Sequence, residues 1–448
     1  MIFKEIPEYK VGEKMDFDKR LSIAQHMGYK FDCSCAFNIQ AVIHGRGFLD
    51  VQAFCHVLKM QQKRHYYLCS YIEEKSLEFH LFEKEKDIPV TVVELDNIKE
   101  WETIRIEDLN KPFIHGLEPY GRVAICKCGE DSIIVITLAH YVADGLSCGQ
   151  FTHNLMESYG SYIQGKTEGS LDPIEPFSLL GMKVPKAMDY DFSIILPGNE
   201  INDVNEKIYV TASQRHTEVR NLSISEDVMS HFEKCCKQEK TTIYGGICAA
   251  AMSAMTKVIA NTYQTEKRLG VSCVSVVDQS RGIKKRNSYN QLGQGALVAR
   301  TYRTDIDSTS DLWNIARQSR KQLQNYSKKL GFVKLLIYIK QNLHLSDEAF
   351  LKLMEFKDEF VVVSFLGNLD PLCDFDMGKN FKLMDIDVAT SVQYLQGNEW
   401  GIFIGCYIYK KSLRFTVNYV KEYWNDARIE LFCSCLKESI MEMVGENK

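Results

Sequence analysis

The sequence of 448 residues contains no Cys-x-x-Cys, no His-Glu-x-x-His and no P-loop. Zinc and iron–sulfur sites therefore lack their ligand spacings, and no phosphate-cradling motif is present. The isolated Gly-x-Gly at Gly293/Gly295 is too little for a dinucleotide site. No run approaches the ~18 uninterrupted apolar residues of a membrane span. The first residues, MIFKEIPEYKVGEKMDFDKR, mix charges of both signs and lack the apolar core of a signal peptide. A cytoplasmic location is the expectation. Basic surplus is missing too: 54 Lys and Arg stand against 59 Asp and Glu, a net charge of −5. That balance argues against a dedicated nucleic-acid binder, and the densest basic cluster, Lys284-Lys285-Arg286, reads as a solvated loop. The 15 cysteines are odd in number and occur in apolar as often as polar surroundings, as reduced thiols do.

What is there is an ordinary globular composition, 45% hydrophobic and 25% charged, over a length that accommodates two cores. The chain is organised around Ser132 to Gly149. Ile133, Ile134, Val135 and Ile136 form a β-branched run without polar alternation, which predicts a strand buried on both faces. The apolar run ends at Leu138; then come His140, the turn pair Asp144-Gly145, and Phe151, Leu155 and Tyr159 at helical spacing. His140 is thus placed where a central strand gives way to a loop, the usual address of chemistry in open α/β sheets.

Around this stretch, strands are expected at 37–42, 67–72, 77–82, 90–93 and 123–127, and a helix after Asp50 as N-cap, with Val51, Phe54 and Leu58 on one face. The pattern dissolves over 181–206, read as a crossover linker. It resumes with a strand at 217–222, then Ser223-Ile224-Ser225-Glu226, which has the form of a capping box. Beyond it the spacing predicts a buried helix over 242–259, a strand at 271–277, a helix over 312–325, strands at 360–364, 401–409 and 413–419, and a final helix over 425–444. The division is 1–180, linker 181–206 and 207–448, both halves α/β.

His140-Tyr141-Val142-Ala143-Asp144-Gly145 has the form His-x-x-x-Asp-Gly, and other elements follow in order. These are Gly47-Phe48-Leu49-Asp50 with Arg64-His65; Val277-Asp278-Gln279-Ser280-Arg281 with Leu292-Gly293-Gln294; Val363-Ser364-Phe365-Leu366-Gly367; and Asp374-Phe375-Asp376-Met377-Gly378. In these the chain resembles the CoA-dependent acyltransferase superfamily. That group includes chloramphenicol acetyltransferase, polyketide-associated and alcohol acyltransferases, the plant His-x-x-x-Asp acyltransferases and peptide synthetase condensation domains. Departures exist: Ala139 stands where many members carry a second histidine, and Asp376 and Met377 replace a Gly and a Trp.

The resemblance implies two similarly built chloramphenicol-acetyltransferase-like domains, mixed sheets flanked by helices, with a tunnel between them. It implies acyl transfer from a thioester, acyl-CoA or carrier-bound, to a hydroxyl or amine acceptor, O-acyl before N-acyl. His140 is the expected general base and Ser364 a candidate oxyanion donor. Asp144, Gly145, Arg281 (with Arg286 as fallback), Asp374 and Gly378 are expected to support the site structurally, Asp144 by pairing with the arginine. His65 is read as packing. No metal and no bound cofactor are expected, the acyl thioester being a co-substrate; the partners are a small-molecule acceptor and either CoA or a carrier protein, and the chain is expected to be a monomer. Two alternatives compete. Gly145-Leu146-Ser147-Cys148-Gly149 matches the nucleophile elbow of α/β-hydrolases, with Ser147 as nucleophile, although no strand leads directly into it. The other is a non-catalytic, condensation-like binding module, against which retention of both His140 and Asp144 argues.

Overall fold

The computed structural model describes residues 17–166, 172–179, 209–279, 288–328, 331–395 and 397–445. The expected linker 181–206 and the residues Arg281 and Arg286 lie outside the described residues. The first half runs α1 (Ile23–Asp32), β1 (Asn38–Gly47), α2 (Val51–Arg64), β2 (Ser70–Glu73), β3 (Glu78–Leu81), β4 (Val90–Glu94), α3 (Trp101–Leu109), β5 (Gly121–Cys128), β6 (Asp131–Ala139) and α4 (Gly145–Ile163). The second runs β7 (Thr217–Ile224), α5 (Glu226–Gln238), α6 (Ile243–Tyr263), β8 (Leu269–Asp278), β9 (Ala296–Ile306), α7 (Leu312–Lys328), α8 (Gly331–Asn342) and α9 (Asp347–Met354). It continues with β10 (Phe360–Asn368), α10 (Asp370–Cys373), β11 (Phe381–Thr390), β12 (Gly401–Tyr409), β13 (Ser412–Val420) and α11 (Asp426–Val444).

These elements build two mixed sheets flanked by helices, ordered β11-β1-β6-β5-β4 and β7-β13-β12-β10-β8-β9. In the first sheet β6 is central, antiparallel to β1 and β5. Its β-branched run is covered on both sides, as an unalternating strand must be. Ile133 and Val135 pack with Val42 and Trp101 of α3, while Ile134 and Ile136 turn into the main core. The second sheet is parallel only where β10 meets β8 and β12. Behind it lies α6, which packs against α7 and α11. Among the described residues α6 alone is long and apolar enough to cross a membrane, and 78% of its apolar stretch is buried inside the fold.

One strand departs from the division at 207–448. β11 belongs by sequence to the second half but pairs antiparallel with β1, closing the edge of the first sheet. Other sequence expectations shift locally. Tyr66–Cys69 is a 3-10 turn, so the strand expected at 67–72 begins at Ser70. The capping box at Ser223 does not form: Ser223 lies within β7, and α5 starts after Ser225, whose side chain makes no cap bond. Asp50 does cap α2, its Oδ1 accepting the Ala53 N–H at 3.0 Å.

The loop after α10 clasps α4 from the second half. A Cβ added at Gly160 would lie 1.7 Å from the Asp376 carbonyl oxygen, and Lys166 Nζ reaches Asp376 at 3.2 Å. Because the obstacle is backbone, Gly160→Ala is expected to destabilise the fold by about 1 to 3 kcal/mol through overpacking. A melting temperature equal to the parent's would show that the clasp yields freely.

Candidate active site

β6 delivers His140 to the junction of the two halves. Its backbone N–H donates to the Phe37 carbonyl at 2.8 Å, and Val142 N–H turns back to Ala139 at 3.0 Å. Asp144 then caps α4: its Oδ1 accepts the Ser147 N–H at 3.0 Å, and the Ser147 hydroxyl in turn accepts the Asp144 N–H at 3.0 Å. The half-buried imidazole stacks on Phe37, ring centres 4.9 Å apart and planes 13° from parallel.

Two acceptors meet one ring nitrogen. Nδ1 lies 3.0 Å from the Ala143 carbonyl and 3.0 Å from Gln294 Oε1. The amide orientation of Gln294 is fixed because its Nε2 donates to the Ala296 carbonyl at 2.7 Å. An acceptor pair at Nδ1 requires the proton there, which leaves the Nε2 lone pair available as a base. Burial lowers the imidazole's pKa below its ordinary 6.5, opposed by the hydrogen bonds just named and by the charge of Asp144.

Residues 294–296 come from the second half, and Gly295 N–H donates to Asp144 Oδ2 at 3.1 Å. One segment therefore holds both motif residues. Gly293 lets it pass, since a Cβ there would lie 2.0 Å from the Phe177 carbonyl oxygen. Phe37 is itself held: its N–H donates at 3.0 Å to Asp32 Oδ1, a carboxyl whose complete burial raises its pKa to about 7.

His140, Asp144, Gly145, Gln294 and Ser364 line one cavity between the halves, about 1570 Å³ when its openings to solvent are counted. Ser364 enters it from β10, with its carbonyl accepting the Cys406 Sγ–H at 3.3 Å. Asp374 and Gly378 lie in the loop after α10 and do not line the cavity; Gly378 faces Ile163 and Gln164 at the far end of α4. His65 is buried edge-on against Phe151. Arg281, expected to pair with Asp144, lies outside the described residues.

Ser147 does not form a nucleophile elbow. It sits in the first turn of α4 rather than at a strand end, is fully buried, and its hydroxyl donates to Asp144 Oδ1 at 2.8 Å. The resemblance of 145–149 to an elbow reflects a helix start that needs small residues and a cap.

Sequence reasoning read Gln294 only as part of a turn and Phe37 only as a strand residue. If Gln294 fixes the imidazole, Gln294→Ala should lower turnover by about two- to tenfold, the worth of one neutral hydrogen bond, with KM nearly unchanged. A rise in KM with turnover intact would assign Gln294 to substrate binding instead.

No family model matches the chain, and no curated protein sequence does. Solved structures match along nearly its whole length. Polyketide synthase associated protein 5 from Mycobacterium tuberculosis is similar with a TM-score of 0.62 at 14% identity, covering 95% of this chain and 98% of that one. The first condensation domain of the calcium-dependent antibiotic synthetase, in complex with a substrate analogue, gives 0.68 at 12% identity over 96% and 97%. The epimerization domain from the third module of tyrocidine synthetase B gives 0.62 at 13% over 97% and 99%. These likenesses establish the fold, the two-lobed condensation-domain architecture that the sequence resemblance implied.

Proposed function

We propose that the protein transfers an acyl group from a thioester to an amine or hydroxyl acceptor, with His140 as general base. The observation that carries this reading is an imidazole with Nδ1–H held by two acceptors and Nε2 left as a base in a cavity between two lobes. In this reading the acceptor's O–H or N–H gives its proton to Nε2 as its heteroatom bonds to the thioester carbon. The tetrahedral oxyanion, assisted by the Ser364 hydroxyl, collapses with cleavage of the C–S bond, and the imidazolium returns its proton to the leaving thiolate. The donor is an acyl-CoA or a carrier-bound thioester. Carrier-linked chemistry draws support from the condensation and epimerization domains of peptide synthetases that share the fold.

The test is a panel of acyl thioesters assayed for thiol release with pooled amines and alcohols. Acceptor-dependent release is expected, retained in Ser147→Ala, and a fluorophosphonate should not label the protein. Release that ignores the acceptor, or labelling lost in Ser147→Ala, would replace transfer by hydrolysis.

A further inference from the structure

The cavity has two chemically distinct regions. Its polar side chains lie on the two sheets and the loops at their ends: Gln40 and Thr390 on the first sheet, Ser364 and Asn418 on the second, with His140, Asp144, Asp278, Tyr289 and Gln294 at or beyond strand ends. The opposite region is built by helices. Met27 and Phe31 lie one turn apart on α1, Leu335 and Ile339 one turn apart on α8, Met354 ends α9 and Phe356 follows it. Spacing of four places each helical pair on one face, and α1 packs against both α8 and α9.

An aromatic path joins this region to the base. Phe37, stacked on His140, meets Tyr394 edge-on at 4.8 Å, and Phe31 stacks on Tyr394 at 4.8 Å. Among the described residues no Lys or Arg lines the cavity. A carboxylate or phosphate drawn inside would meet no cation among them, and a polar group set against the six helical-arm side chains just named would lose its water without a partner from them.

We propose that the arm formed by α1, α8 and α9 receives the alkyl tail of the transferred group, so that the donor is a medium- or long-chain aliphatic acyl thioester. The proposal rests on the acyl-transfer reading above. An acyl chain fits the arm because nothing beyond its carbonyl needs a hydrogen bond. The acceptor, which must bring an O–H or N–H to Nε2, suits the polar region instead. Each methylene buried in the arm strengthens binding by about three- to fourfold.

The probes are S-butyl-, S-octyl- and S-dodecyl-pantetheine, thioethers that cannot react, titrated calorimetrically into the parent protein and into His140→Ala. Affinity is expected to rise about threefold or more per methylene from butyl to octyl in both proteins. Ile339→Trp should cut the dodecyl-to-butyl affinity ratio by at least tenfold. Met354→Trp, at a half-exposed position, should do the same if the buried Ile339 site does not tolerate the larger ring. Affinity that is flat or falls with chain length overturns the proposal. So does length dependence confined to n-butanol, n-octanol and n-dodecanol titrated alongside the thioethers, which would give the arm to the acceptor. Rising thioether affinity with no transfer from any thioester would support the alkyl arm and reject the transfer reading.

Discussion

Replacing His140 with Ala is expected to lower turnover by about 10² to 10⁴-fold while leaving the melting temperature within a few degrees of the parent. The ring contributes a base at Nε2, and the backbone around it is held independently by the Phe37 carbonyl and the cap on α4. The pH profile carries the same assignment. Because burial lowers the imidazole's pKa, the neutral, proton-accepting form persists to more acidic pH than in a free histidine. Activity should therefore be level through neutrality and fall only as pH drops below the ordinary histidine value of 6.5. Turnover within a few-fold of the parent in His140→Ala would remove the residue from the chemistry.

Asp144→Ala should be the more damaging change to the fold. The carboxylate is 3% exposed and accepts from Ser147 through Oδ1 and from Gly295 N–H through Oδ2. Its loss leaves two buried N–H groups unpaired at about 1 to 3 kcal/mol each, in total a drop of several degrees in melting temperature. Turnover falls with it, because Gly295 no longer ties the Gln294 segment to the catalytic loop. Asp144→Asn keeps an oxygen for Ser147 but turns an amide toward Gly295, so it should lie between parent and Ala variant. If Asp144→Ala melted like the parent yet lost activity as fully as His140→Ala, the aspartate would belong to proton transfer rather than to support.

Much of this was legible in the chain because it is written locally. The unalternating run at 133–136 announces a strand covered on both faces, and a histidine at its end followed by Asp-Gly announces the turn and cap. Gln294 is different. Its function is defined by a residue 154 positions away, and nothing in its neighbourhood distinguishes it from an ordinary turn amide. β11 was hidden for a related reason. Phe381–Thr390 carries Asp385 and Asp387 in its middle, and Asp387 is accommodated only because His44 of β1 lies 3.1 Å away and Arg105 of α3 stands beyond. Helices α8 and α9 follow α7 so closely that their separate stripes blur in a single apolar–polar pattern.

The crossing of β11 to the first sheet makes the two lobes inseparable by a cut anywhere between α4 and β7. A fragment ending at residue 180 would carry β1 without its outer neighbour, an open row of backbone donors and acceptors prone to pairing with other chains. During synthesis the first sheet stays one strand short until residue 390 leaves the ribosome, so the lobe begun first cannot be finished first. In the folded protein the same strand ties one sheet to the other. Any widening of the cleft must pivot where β11 leaves β1 for β12, beside Thr390, whose N–H is held at 3.2 Å by Asn418 of the other sheet.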